Sequence, residues 1–465
     1  MSVLADRYAT AEMREIFSPT AKIILERKFW ISILKNQSEL GLEVPASAIK
    51  DYEKVINNVD LASIDAREKA LRHDVKARIE EFNALAGHEY IHAGLTSRDV
   101  TENIESFQIR QALNLIHDKT IALLNRIGEK AKHYSDTPIA GRSHNQPAQV
   151  TTLGKRFASA GEELLWGYER LNSLIARYPM RGIKGPVGTA QDSLDLLGKN
   201  HAKLESKVAK ELGFENVLNS TGQIYPRSLD YEVITTLVQI AAAPSSLATS
   251  IRLMAGAELV SEGFKSGQVG SSAMPHKMNT RSCERINGLA VVLRGYAAMV
   301  GELAGDQWNE GDVSDSVVRR VAIADAFYAL DGLIETMLTV LKEFGIFPKM
   351  IEAELERNLP FLATTKILMA AIKAGVGREV AHEIIKEHST NAAIEMRNGL
   401  PNTFFEKLAA DDRIPLDKTA LNKLVSEPIE FAGDAKGQVE RVCERIAALT
   451  KRHPQAAQYQ PGQIR

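Results

Sequence analysis

Apolar positions recur along much of this chain at the three- to four-residue step of a helix. From Thr96 to Ser135 there is no proline and a single glycine, Gly128. Within that stretch Ile109, Leu113, Ile116, Leu123, Ile127 and Ala131 keep the period, with one double step. The pattern predicts one helix about 50 Å long at 1.5 Å per residue. Thr96 and Asp99 have capping-box spacing at its start, and Pro138 follows its end. Similar stripes run over 229–262, 284–303 and 316–344, with Pro244 placed to kink or offset the first. Strand-like alternation is scarce. The segment 178–189, with three glycines and two prolines, reads as a loop or small hairpin. Beyond Pro348 the helical segments shorten, punctuated by Pro360, Pro401, Pro415 and Pro428.

These patterns predict an all-α fold of three helical domains. An N-terminal domain spans 1–97, a central bundle of very long helices 98–350, and a smaller C-terminal domain 351–465. Helices this long, apolar on more than one face, are hard to satisfy in a monomer, so a multi-subunit helical core is expected. No internal repeat or low-complexity tract interrupts the scheme.

Composition narrows the function classes. With 465 residues, 57 Lys plus Arg and 59 Asp plus Glu, the net charge is −2. That balance provides no field for nucleic acid or anionic membranes. No run of 18 apolar residues occurs, and the first ten residues include Asp6 and Arg7 rather than an apolar signal core. Cys283 and Cys443 stand in no metal-ligand spacing and read as reduced thiols. The expectation is a cytoplasmic protein without metal or cofactor, acting on small molecules.

Three segments mix small, polar and ionisable residues at helix junctions, where a rigid scaffold concentrates chemistry. They are His92–Asp99, Gly141–Gln146 and the stretch 267–285, GQVGSSAMPHKMNTRSCER. The GSSxMPxKxN pattern in the last is too particular for a connector and resembles the signature of the fumarase/aspartase superfamily. Arg7-Tyr8, Arg72-His73-Asp74, Thr96-Ser97, Ser143-His144 with Gln146, Gln223 in TGQIYPRS, and Ser316 with Arg320 narrow the resemblance to the adenylosuccinate lyases. KILMAAIKAGVGREVAH resembles that family's C-terminal domain, so the likeness spans essentially the whole chain.

The resemblance implies a β-elimination. A proton leaves the carbon beside a carboxylate, nitrogen leaves the adjacent carbon, and fumarate is released from a succinyl-substituted purine nucleotide. Both adenylosuccinate and the succinylated imidazole-carboxamide ribotide are expected substrates. Ser271 matches the general base, His144 the general acid and Glu284 the acid's partner. His73 matches a second histidine of the site, with Asp74 expected to fix its tautomer. Lys277, Asn279, Thr96, Ser97, Gln223 and Ser272 match contacts to the succinyl group and its surroundings. Arg72 and Asp74 match substrate contacts, and Arg7, Tyr8, Arg285, Ser316 and Arg320 match nucleotide and phosphate contacts, arginine being suited to phosphate. The resemblance also implies a homotetramer whose active sites combine residues of different subunits. His276 matches a variable position and reads as structural.

The chain departs from the family in places. Gly311 stands where many relatives carry arginine, Thr280 where proline commonly follows KxN, and Ser143 where threonine is common. Arg319 or Arg281 is the expected substitute for the missing arginine. Argininosuccinate lyase, another fumarate-releasing lyase, and a non-catalytic crystallin-like protein share the signature as alternatives. The phosphate candidates disfavour the first two, and the intact acid–base set disfavours the third.

Overall fold

The computed structural model describes residues 2–263, 274 and 276–462. The N-terminal region holds α1 (Val3–Arg7), α2 (Ala11–Ile16), α3 (Pro19–Glu39), α4 (Ala46–Lys54), α5 (Leu61–Leu71) and α6 (Asp74–Ala86). Then come α7 (Ser97–His133), a hairpin of β1 (Pro138–Ser143) and β2 (Gln146–Thr152), α8 (Leu153–Arg177), α9 (Gln191–Leu197), α10 (His201–Glu211) and α11 (Ser228–Gly256). A short β3 (Val260–Ser261) precedes α12 (Arg281–Gly301) and α13 (Asp315–Glu343), and β4 (Gly345–Ile346) pairs antiparallel with β3. The chain ends with α14 (Pro348–Leu362), α15 (Thr364–Lys373), α16 (Arg378–Arg397), α17 (Phe404–Ala409), α18 (Lys418–Leu424), α19 (Ala435–Arg452) and α20 (Pro454–Ala457).

The four long predicted helices are present as α7, α11, α12 and α13. Helix α7, with 37 residues, is about 55 Å long. Asp99 at its third position accepts a hydrogen bond from the Thr96 amide at 2.8 Å, one half of the capping box. Helix α11 is apolar and long enough to span a membrane by composition, but just over half of its most apolar stretch is buried against its neighbours. Pro244 lies within it without ending it.

Among the described residues hydrophobic burial falls into three clusters. The central one joins α7, α8, α11, α12 and α13 through Leu113, Leu164, Leu237, Leu293 and Leu333, among others. A second gathers Phe29, Trp30, Tyr52 and Phe82 of the N-terminal helices around Val100 and Ile104 of α7 and Leu204 and Val208 of α10. The third holds Ile367, Ile384, Phe404 and Leu421 of the C-terminal helices. Helix α19 returns to the central cluster with Val439, Val442, Ile446 and Leu449. Gly128, the one glycine of α7, lies where this return crosses. A Cβ there would sit 3.3 Å from Ile446, so the missing side chain admits the isoleucine.

Two departures from the sequence pattern bear on the site. The segment 138–152 forms a hairpin whose turn, His144-Asn145, has φ of 51° and 61°. Positive φ at both central residues is the geometry of a type I′ turn. The glycine- and proline-rich segment 178–189 is the expected loop, not a hairpin, but much of it is buried. Met180 forms a single bridge to Val217, and Arg181 and Ile183 are fully buried.

Candidate functional site

The starts of three helices and one loop surround a cavity of about 860 Å³. Eight of the predicted residues line it: Arg72, His73 and Asp74 at the head of α6; Thr96 and Ser97 at the head of α7; Gln223; and Ser316 and Arg320 in the first turns of α13. Four separate stretches of the chain thus meet at one place.

His73 is the N-cap of α6. Its Nδ1 accepts the Lys76 amide at 3.3 Å, which places the proton of the neutral ring on Nε2. Nε2 lies 3.5 Å from the Ser97 hydroxyl. Asp74 was expected to fix this tautomer, and it does not. Its Oδ1 is 3.8 Å from Nδ1, while Oδ1 accepts the Val75 amide at 2.8 Å and Oδ2 accepts from Arg78 at 3.3 Å. Burial pushes the Asp74 carboxyl up, but Arg78 and the Val75 amide outweigh it, so the group stays below its ordinary range. The tautomer is therefore set by the helix end.

Beneath the cavity lies a layer of buried ion pairs. Asp99 accepts from Arg181 at 2.6 Å and from the Lys184 and Gly185 amides. Arg181 in turn donates to the Gly222 carbonyl at 2.9 Å, next to Gln223. Arg227 pairs with Glu102 at 2.8 Å and with Asp315 at 2.6 Å. Burial raises the Glu102 carboxyl, but Arg227 and Arg319 overcome this and hold it ionised. Arg319 is bound to Asp230 at 2.8 Å and Glu105 at 2.6 Å. The expectation that Arg319 stands in for the arginine missing at Gly311 is thereby corrected, because its guanidinium is already committed to two carboxylates. Gly311 itself has φ +121°, and a Cβ would lie 2.8 Å from Ile224, so this backbone holds glycine for steric reasons. Arg320 is exposed and makes no ion pair or hydrogen bond with any described residue.

A second cavity, about 300 Å³, contains Arg7, Tyr8 and Arg285. The guanidinium carbons of Arg7 and Arg285 lie 5.9 Å and 5.6 Å from the Tyr8 ring centroid, within cation–π range. His144 lies elsewhere, exposed at the hairpin tip. Lys277 and Glu284 are also exposed, Asn279 is half-buried, and none of these four lines either cavity. Ser271 and Ser272 lie outside the described residues.

Two polar residues of the large cavity, Arg98 and Lys22, were given no role from sequence. Arg98 donates to the Ser316 hydroxyl at 3.1 Å and to Glu102 at 3.0 Å. Lys22 pairs with Glu105 at 3.1 Å. Arg98 lies one position past Thr96-Ser97, and that adjacency was the available signal. Glu262, just before the signature stretch, accepts the Ser282 and Cys283 amides at 2.9 Å and 2.8 Å and so caps α12 from outside the helix. No local pattern announces that role.

Comparison with known proteins adds an independent line. A family model described as "Lyase" matches residues 9–295, and one described as "Adenylosuccinate lyase C-terminus" matches 360–442. The chain is 36% identical to an adenylosuccinate lyase of Saccharomyces cerevisiae, over 95% of this chain and 93% of the yeast one. It is 34% identical to that of Schistosoma mansoni, over 94% and 92%. Among solved structures, a fumarate lyase from Mesorhizobium superposes with TM-score 0.80 at 22% identity, covering 94% of this chain and 98% of the other. A 3-carboxy-cis,cis-muconate lactonizing enzyme from Pseudomonas putida gives TM-score 0.84 at 20% identity, covering 96% and 99%. The last two likenesses are of fold.

Proposed function

The chain belongs to the adenylosuccinate lyase family of the fumarase/aspartase superfamily, and on that premise we propose how its residues divide the reaction. It is a carbon–nitrogen lyase that releases fumarate from adenylosuccinate and leaves AMP. The succinylated imidazole-carboxamide ribotide, which presents the same succinyl-amine and a ribose phosphate, is the proposed second substrate.

The elimination needs a base at the carbon next to a carboxylate, donors for the charge that builds there, and an acid for the departing nitrogen. Ser271 is the proposed base and His144 the acid, with Glu284 supporting the imidazolium. Lys277, Asn279, Thr96 and Ser97 hold the succinyl carboxylates, whose added negative charge their N–H and O–H groups favour. His73 presents Nε2–H toward Ser97, the geometry of a donor to substrate. Ser316 and Arg320, on one face at the start of α13, take a phosphate.

The observation that carries this reading is the convergence of eight motif residues on one cavity. His144, Lys277, Glu284 and the Arg7 group lie outside that cavity in the single chain. A homotetramer in which neighbouring subunits bring them together accounts for the separation. Trp166, Leu253, Val291 and Val321, exposed on α8, α11, α12 and α13, support such a bundle of bundles. Two free cysteines support a reducing, cytoplasmic setting.

Calorimetry with AMP and adenosine tests the phosphate assignment. Arg320→Ala should weaken AMP by about 1.5–3 kcal/mol, the range for a charged hydrogen bond. Adenosine should lose less than about 1 kcal/mol. Equal losses for the two ligands would remove Arg320 from the phosphate site.

A further inference from the structure

Helix α1, which leads into the Arg7-Tyr8 pair, is five residues long and buries none of them. What fixes the pair comes from distant parts of the chain. The Thr10 amide and hydroxyl both donate to Oδ2 of Asp331 on α13, at 2.7 Å and 2.9 Å. Lys119 of α7 donates to Thr10 Oγ1 at 3.2 Å and pairs with Asp331 at 2.5 Å and Glu335 at 2.9 Å. One residue past Asp331, Gly332 lets the Tyr8 backbone lie against α13. A Cβ there would be 2.6 Å from Tyr8 Cβ and 2.9 Å from the Tyr8 carbonyl oxygen.

The C-terminal segment closes this group. The Tyr459 hydroxyl donates to Glu335 Oε1 at 2.6 Å, and the Gly462 amide donates to Oε2 at 2.8 Å. The Tyr459 ring also lies 5.2 Å from the Lys119 ammonium. Gly462 and Glu335 line the same small cavity as Arg7, Tyr8 and Arg285. Lys119, Asp331 and Glu335 are buried, one cation serving two carboxylates. A buried carboxylate without donors is costly. Deprived of Tyr459 and Gly462, Glu335 would draw on Lys119 alone, at the expense of Asp331 and Thr10.

We propose that the C-terminal segment is a positioning device for the nucleotide end of the site. Tyr459 and Gly462 satisfy Glu335, which leaves Lys119 and Asp331 to hold Thr10 and, through it, Arg7 and Tyr8. Tyr459 is thus a positioning residue. The proposal rests on the reading of Arg7 as a nucleotide contact.

Three variants test it in steady-state kinetics with adenylosuccinate: Tyr459→Phe, a chain ending at Gln458, and Arg7→Ala. Tyr459→Phe keeps the ring over Lys119 and removes only the hydroxyl. The first two should raise KM about threefold to tenfold, the scale of a lost hydrogen bond, with kcat within about twofold. In the Arg7→Ala background Tyr459→Phe should add clearly less than it costs alone, because much of its effect passes through Arg7. The proposal is overturned if Arg7→Ala raises KM while Tyr459→Phe does not, if the two effects simply add, or if Tyr459→Phe lowers kcat alone. Should the shortened chain fail to fold, Tyr459→Phe still decides. An unchanged KM in Arg7→Ala would instead overturn the reading of Arg7, and the proposal with it.

Discussion

His92 shows what a single residue of the site's frame contributes. It has φ +68°, and its Nδ1 accepts the Trp30 indole N–H at 3.1 Å. Burial pushes its pKa down from 6.5 to about 4, against a smaller upward pull from Asp99. The folded protein therefore prefers the neutral ring. Its contribution to stability is complete above pH 6.5 and is lost as pH falls from 6.5 through about 4. At full effect the loss is up to about 3 kcal/mol. His92→Asn, which tolerates the left-handed backbone, should show a shallower fall of unfolding free energy across that interval in denaturant titrations. Equal slopes in the two proteins would contradict this role. At the residue scale the sequence displayed residue types and spacing but not partners. Arg72, His73 and Asp74 stand adjacent in the chain, yet the bond that sets the His73 tautomer comes from the Lys76 amide. Arg319 and Arg320 are neighbours on one helix and both border the cavity, yet Arg319 is buried and bound to Asp230 and Glu105 while Arg320 is exposed.

The hairpin β1–β2 is the element that presents His144. Arg142 donates to the Asn145 carbonyl at 3.0 Å across the turn and pairs with Glu354 of α14. The turn that carries the proposed acid is thus braced by the first helix beyond the bundle. Arg142→Ala should lower kcat by about tenfold, part of what a well-placed general acid supplies, and change KM little. Thermal unfolding should shift only slightly, because the pair is partly exposed and worth less than about 1 kcal/mol. Unaltered kcat would show that the turn holds its shape unaided. This hairpin was not legible in the sequence. In β1 the buried residues Ile139 and Ala140 are adjacent rather than alternate, and the turn is His-Asn rather than a glycine pair, so alternation and turn signals were both weak. The long helices were legible because a 3.6-residue stripe sustained over about 30 residues fits no other regular element. The segment 178–189 is a loop, one of the two readings its glycines and prolines allow, but its burial was not legible. Glycines and prolines mark a break in regular structure and say nothing of depth; Arg181, paired with Asp99, draws the segment into the interior.

At the scale of the molecule, one chain holds the proposed machinery in separate places: the large cavity, the Arg7 cavity, the hairpin tip and the head of α12. A tetramer is therefore expected by light scattering. Mixing inactive His144→Ala and Ser271→Ala subunits should restore part of the activity, since some sites then draw both intact residues from different chains. A fully active monomer, or no recovery on mixing, would contradict the shared site. The residue sets of all these places were largely visible as motifs, but their separation within one chain was visible only in the fold. The most direct measurement is fumarate release by the purified protein. Adenylosuccinate should yield fumarate and AMP in equal amounts, and argininosuccinate should yield neither fumarate nor arginine. Absence of fumarate from adenylosuccinate, or its appearance from argininosuccinate instead, would contradict the assignment.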